Sequence, residues 1–198
     1  SEWERTTSSK EVLEYCKTVA DNSGGRIILD DTTFKTEAGT PIPYMIISDK
    51  APKGPDEVDE DKGVVYVNCN IHSGEVEGKE AMMIFAREVA QGKHDDLLKD
   101  LVVVIVPNSN PDGNDDLGKN RIETQFTPKM VGTRTEGNGL NVNRDMTKLE
   151  TACGRTIVQL MNDWNPILFI DAHATDGSYM RHAVTYNWGL NAGTDPEL

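Results

Sequence analysis

A chain of 198 residues and 21.9 kDa, with 37% hydrophobic and 27% charged residues, has the makings of one domain, or part of one, with a real core. A net charge of −13 and a pI near 4.7 argue against nucleic acid or an anionic membrane surface as partner. No apolar run reaches the roughly 18 residues of a membrane span, and Cys16, Cys69 and Cys153 lack the CxxC spacing of a thiolate metal site or redox pair, so they read as small buried hydrophobes.

Residues 1–7 read as a loose lead-in to the fold. Ser8-Ser9-Lys10-Glu11 has the form of a capping box, followed by a helical stripe of Val12, Cys16 and Val19 that Gly24-Gly25 stops. Arg26 to Asp30, Phe34 to Thr36 and Ile42 to Ser48 read as strands, with a turn at 37–40 closing a hairpin. Pro41 and Pro43 place that hairpin at an edge or at a strand start. Lys50 to Lys62 is a solvated acidic loop.

Val64-Val65-Tyr66-Val67 opens a strand that gives way to a helix, with Ala81, Ile84, Phe85 and Glu88-Val89 at helical spacing. Asp95 to Asp100 is a short helical turn. Leu101 to Pro107 is a continuous apolar run, the pattern of a strand buried on both faces, and it breaks at the turn Asn108-Ser109-Asn110-Pro111-Asp112-Gly113. Residues 114–140 have no steady period, and so long a loop inside a domain points to function. Lys148 to Trp164 is helical, with Ile157, Leu160, Met161 and Trp164 on one face, and Ile167 to Ile170 is a further buried strand. Strands alternating with helices predict an α/β fold with a mixed, largely parallel central sheet flanked by helices.

His72 and Glu75 stand where the first buried strand turns into its helix. Strands of an open α/β sheet present such turns at the carboxyl edge, where ligands bind. Imidazole nitrogen and carboxylate oxygen are zinc donors, and two His with one Glu and an open fourth position is a hydrolytic zinc pattern. With 4 His and 15 Glu in the chain, about 0.3 such His-x-x-Glu pairs arise by chance, so the pair needs support from elsewhere. His173 supplies it: it also follows an apolar strand, flanked by Asp171 and Asp176, which could orient its ring. Arg134 and Arg144 bound a Gly- and Asn-rich stretch, and Asn143 adjoins Arg144. A guanidinium with an adjacent amide can grip a carboxylate, and a second guanidinium can stabilise an oxyanion.

Four motifs occur in order: His-x-x-Glu at 72–75, Asn-Pro-Asp-Gly at 110–113, Gly-Leu-Asn-Val-Asn-Arg-Asp at 139–145 and Asp-Ala-His-Ala-Thr-Asp-Gly at 171–177. From about Thr36 onward the chain resembles the zinc metallocarboxypeptidases of the carboxypeptidase A and N/E type, and is most similar to bacterial members that carry Asn-Arg-Asp. The resemblance implies one zinc ion per chain, held by His72, Glu75 and His173. It implies Arg134 as the group that polarises the scissile carbonyl, and Asn143 with Arg144 as the grip on a substrate's terminal carboxylate. The implied reaction is hydrolysis of a C-terminal peptide bond, and the implied location is secreted or periplasmic.

The chain departs from that family at three points. Asn141 stands where members usually carry Asp beside the first zinc histidine, and Gly74 stands where the pancreatic enzymes carry Arg. The family's general-base glutamate and mobile tyrosine follow the second histidine at a distance, whereas this sequence ends at Leu198. The expectation is an incomplete catalytic domain that binds zinc, turns over little and self-associates through an exposed sheet edge. Two other readings stay open: a related zinc amidohydrolase acting on acyl amino acids or cell-wall peptides, and a zinc- or peptide-binding domain without turnover.

Overall fold

A computed structural model of the protein describes residues 5–119, 128–174, 182, 184 and 185. The capping box forms as read. The Ser8 side chain accepts from the Glu11 N–H, and the Glu11 carboxylate accepts from the Ser8 N–H at 2.7 Å, which starts α1 (Ser9–Asp21). Residues 5–7 are not loose. Thr6 is buried, its N–H donates to the Met130 carbonyl at 3.1 Å, and Arg5 pairs with Glu11 at 2.8 Å.

Strands β1 (Ile27–Asp30) and β2 (Tyr44–Ile47) pair antiparallel, with Ile27 opposite Ile47. The expected strand at 34–36 is reduced to a single bridge between Lys35 and Pro41. Pro41 and Pro43 lack the N–H donors that a longer ladder needs. Strand β3 (Gly63–Cys69) is followed by α2 (Glu77–Ala90), the short α3 (Asp95–Leu98) and β4 (Leu101–Val106). The Asn-Pro-Asp-Gly turn continues as a short helix, α4 (Pro111–Asp115), whose Asn110 cap accepts from the Gly113 N–H. The long loop carries a small ribbon, β5 (Gly118–Lys119) with β6 (Met130–Val131), and a 3-10 turn at Val142–Arg144. Helix α5 (Ala152–Trp164) begins later than the sequence suggested, because Thr151 caps it through the Gly154 N–H, and β7 (Leu168–Ala172) follows.

The main sheet runs β1-β2-β4-β3-β7. It is mixed: β4, β3 and β7 are mutually parallel, while β1 and β2 are antiparallel to their neighbours. Alternation along the strands sorts the core into two layers. Met45, Ile47, Val67, Cys69, Val103 and Ile105 pack under α1 and α2. Ile46, Val64, Tyr66, Val102, Val104 and Val106 pack under α5, against Ile157, Leu160 and Trp164. Each such fully buried side chain contributes about 1.5–3 kcal/mol. All three cysteines are buried and free.

Two faces differ from expectation. Helix α2 buries Lys79, Met83, Ala86 and Val89, while Ala81 and Ile84 face outward. The i+3/i+4 pattern fits both stripes, and contact with α1 and the sheet selects one of them. Strand β7 is exposed rather than buried: Ile167 is 75% accessible, Leu168 51% and Ile170 42%. Among the described residues it pairs with β3 alone and stands at the edge of the sheet.

Candidate metal centre

Parallel pairing sets Asn68 of β3 level with Val106 of β4 and Asp171 of β7, so the three strands end at one edge. Beyond β3, Asn70 turns the chain in the left-handed region (φ 63°), which Asn tolerates better than most residues. Its amide donates to Asn108 at 2.7 Å and Asn114 at 3.0 Å, tying the turn to the segments after β4. The Glu75 N–H then donates to the His72 carbonyl at 2.8 Å, and this tight turn sets both side chains on one side. On β7, Ala172 packs against α2 at Gly78, where a Cβ would lie 2.6 Å from the Ala172 Cβ. Glycine there lets the helix approach the strand closely enough for His173 to meet Glu75.

The donors of His72, Glu75 and His173 converge within 4.8 Å of one another. Glu75 Oε1 lies 2.8 Å from His72 Nδ1, and Oε2 lies 3.0 Å from His173 Nδ1. The two imidazoles meet edge to face at 5.1 Å. Both Nε2 atoms point away from the cluster at oxygen acceptors, Asn141 Oδ1 at 3.2 Å and Asp171 Oδ2 at 2.8 Å. That arrangement fits a metal ion. A ligating Nδ1 must offer its lone pair, which requires the proton on Nε2 and an acceptor there to hold it. Asp171 also accepts from Asn68 at 3.0 Å, which fixes it in turn. Asp176 lies outside the described residues.

Burial alone would push the Glu75 carboxyl up, but when the facing Nδ1 atoms carry protons in place of a metal, hydrogen bonds from His173, His72 and the Ala174 N–H hold it down at about 2. His173 is raised to about 10, first by its hydrogen bond to Asp171 and then by that to Glu75. Two carboxylates facing one ring make a local field that favours a cation, whether proton or metal. The side chains of His72 and Glu75 are 3% accessible, whereas His173 is 31% and Arg134 42% accessible. The centre is therefore reached from solvent at His173 and at Arg134, and closed at His72 and Glu75.

Arg134 reaches the cluster directly: one guanidinium nitrogen lies 3.5 Å from Glu75 Oε1, and another stands 3.5 Å from His72 Nε2, beside it but not donating to it once that nitrogen carries the proton directed at Asn141. It arrives through a tight passage. Thr133 bridges the Gly113 carbonyl (2.8 Å) and the Ser73 N–H (3.1 Å), and a Cβ on Gly132 would sit 2.7 Å from the Ser73 Cβ. Asn143 and Arg144 lie in the 3-10 turn after Asn141, whose carboxamide accepts from the Asn143 N–H at 3.0 Å. The exposed Arg144 guanidinium folds back onto the Asn143 carbonyl at 2.7 Å, so among the described residues this pair is linked to the cluster through Asn141, whose Oδ1 takes the Asn143 N–H and faces His72.

Sequence reasoning overlooked the support beneath the centre. Lys79 is fully buried. Its ammonium donates to Asn114 Oδ1 at 2.9 Å and the Thr7 carbonyl at 3.2 Å, and also contacts the Thr6 hydroxyl. Burial lowers its pKa to about 8. Its one sequence signal was a lysine within the spacing of an otherwise apolar stripe.

The family model for zinc carboxypeptidases matches residues 13–152. No match was found among curated proteins. Among solved structures, a metallo-carboxypeptidase from Burkholderia cenocepacia is 18% identical with a TM-score of 0.64, over 86% of this chain and 42% of its own. The carboxypeptidase A of Helicoverpa armigera is 19% identical with a TM-score of 0.65, over 87% and 47%. Bovine thrombin-activatable fibrinolysis inhibitor is 14% identical with a TM-score of 0.64, over 88% and 62%. The chain thus shares their fold and spans less than two thirds of the length of each.

Proposed function

The chain belongs to the zinc carboxypeptidase family, and from that premise we propose that it holds one zinc ion between His72, Glu75 and His173 and serves hydrolysis of the C-terminal peptide bond of a peptide. The observation that carries the reading is the convergence of the three donors within 4.8 Å, with both outer ring nitrogens already matched to acceptors. Zinc bound there would polarise a carbonyl oxygen and lower the pKa of a bound water to about 7.

The chain's own residues take the remaining roles. Glu75 is engaged at both oxygens, by His72 and Arg134 on one and by His173 and the Ala174 N–H on the other. It is therefore a ligand and not the base, and the proton acceptor is a different group. Arg134, half-exposed beside the ligands, suits an incoming carbonyl oxygen on which charge develops. Asn143 and Arg144 would hold the substrate's free carboxylate through a guanidinium and an amide. The substrate is then a peptide with an unblocked C-terminus, and the setting secreted or periplasmic. Among the described residues no helix is long and apolar enough to cross a membrane. The open β7 edge supports self-association of the chain.

Elemental analysis of the purified chain tests the centre. One zinc per chain is expected, and His72→Ala should lose nearly all of it; stoichiometric zinc in that variant would overturn the assignment. Calorimetry tests the carboxylate grip. A free-acid peptide should bind the zinc-loaded chain at least about tenfold more tightly than its C-terminal amide, since one charge-assisted contact contributes roughly 1.5–3 kcal/mol. Arg144→Ala should erase the difference. Equal affinities in the unmutated protein would remove Asn143 and Arg144 from the site.

A further inference from the structure

We propose that Glu136 is a positioning residue for this centre: its buried carboxylate clamps the hairpin between Arg134 and Asn141 to the start of α5, and so sets both residues against His72. The inference rests on reading His72, Glu75 and His173 as a metal site.

The hairpin carries two of His72's contacts on its two arms. Arg134 precedes Thr135, which bridges antiparallel to Asn141, and both Arg134 and Asn141 reach His72 Nε2. Between them the chain closes tightly: the Glu136 N–H donates to the Leu140 carbonyl at 2.9 Å, and the Gly139 N–H to the Glu136 carbonyl at 2.8 Å. A tip this small has no core of its own. Its orientation depends on what holds it to the body of the protein.

Glu136 does that. It is 2% accessible, on a segment whose neighbours from Gly137 to Leu140 are exposed. One oxygen accepts from the Cys153 N–H at 3.2 Å and from the Cys153 thiol at 3.0 Å, and the other faces the Asn138 amide at 3.4 Å. No cationic partner faces it among the described residues, and a buried carboxylate so placed is costly unless its lone pairs are filled. The site meets that need in two ways. The Cys153 N–H is one of the unpaired donors in the first turn of α5, where the helix dipole also favours negative charge. The thiol is pushed far up by burial and by Glu136 itself, so it keeps its proton and donates. On the far side the hairpin backs onto α4, where a Cβ on Gly137 would lie 3.1 Å from Asp112 Oδ2, and Asp112 Oδ1 accepts from the Thr40 hydroxyl at 2.7 Å. The hairpin thus sits between α4 and α5, and Glu136 is the side chain it buries toward α5.

Glu136→Ala should free the hairpin, and Glu136→Gln should keep it in place, because an amide oxygen can still accept from the Cys153 N–H. Two measurements on the 198-residue chain decide the matter. In the metal-free protein, amide hydrogen exchange at Glu136 and Gly139 should quicken at least about tenfold in Glu136→Ala and return near the unmutated rate in Glu136→Gln. In chelator competition, the zinc dissociation constant should rise about tenfold in Glu136→Ala, the low end for loss of partners that orient a ligand, and recover in Glu136→Gln. Ile157→Ala, which weakens α5 while leaving the Glu136 contacts at Cys153 in place, should leave zinc affinity unchanged. If Glu136→Ala does not fold, Glu136→Asp replaces it, since the shorter side chain draws the carboxylate back from Cys153. A folded Ala or Asp variant with unaltered hairpin exchange and zinc affinity overturns the proposal, as does an Ile157→Ala variant that loses zinc to the same degree. An unmutated chain that fails to bind zinc would instead overturn the metal reading, and the exchange measurement would still decide the clamp.

Discussion

Gly78→Ala separates local propensity from tertiary contact with opposite signs. Gly78 lies in the first turn of α2, and an alanine in a helix is favoured over glycine by about 1 kcal/mol. On propensity alone the substitution stabilises the protein. The tertiary structure opposes it. The new methyl would lie 2.6 Å from the Ala172 Cβ, where ordinary carbon contacts are about 3.5–4.0 Å, so helix and strand must part by roughly 1 Å. Overpacking of this kind costs about 1–3 kcal/mol, which leaves a net loss of up to about 2 kcal/mol and, at roughly 2–4 °C per kcal/mol for a chain of this size, a fall in Tm of several degrees. The separation acts where it matters. Glu75 precedes Gly78 by three residues and His173 follows Ala172, and their 3.0 Å contact spans the gap being forced open. Zinc affinity should therefore fall along with stability. Ala172→Gly removes the clashing methyl, and the double variant should recover much of both losses, a coupling that a double-mutant cycle reads directly. Thermal unfolding and chelator competition on the four proteins are sufficient. A Gly78→Ala variant with higher Tm and unchanged zinc affinity would refute the reasoning.

Two further outcomes are expected. Lys79, ordinarily 10.5, is lowered to about 8 by burial, so between those values the unfolded chain holds a proton that the folded one lacks, and this group adds stability as pH rises across that window, by roughly 3 kcal/mol; the buried thiols, pushed up by burial, act in the opposite direction, so the measure is the difference between the unmutated protein and Lys79→Met, which urea unfolding at pH 7 and 10 should show growing in favour of the unmutated protein, and identical pH dependence in the two would exclude it. The open β7 edge should drive concentration-dependent association, and Leu168→Lys, at a position 51% accessible, should shift sedimentation toward monomer without loss of fold; an unchanged sedimentation profile would place the contact elsewhere.

The candidate centre was legible to the extent that its chemistry was written at strand ends. His72, Glu75 and His173 were readable because each follows an apolar strand, and parallel strands bring their carboxyl ends together. Asn141 was readable beside His72 through the family resemblance, and Arg134 as chemistry, but that the two stand on the arms of one hairpin was not, since that hairpin has no period to detect. Glu136 and Lys79 were not readable. A glutamate in a Gly-rich loop and a lysine on a helix read as solvated, and only their packing shows that they are buried.

The sequence by itself determined the elements that rest on local rules: the Ser8–Glu11 cap of α1, the apolar runs of β3 and β4, and the donor types at their ends. These depend on contacts within a few residues, which spacing records faithfully. The tertiary structure alone decided which of two equivalent stripes of α2 turned inward, that β7 stands exposed at the sheet's edge, that residues 5–7 are fastened by a buried lysine, and that glycine at 78 lets a helix and a strand approach closely enough for His173 to reach Glu75. Each of these depends on a partner far away in the chain, and periodicity names the face a residue occupies without naming what will come to cover it.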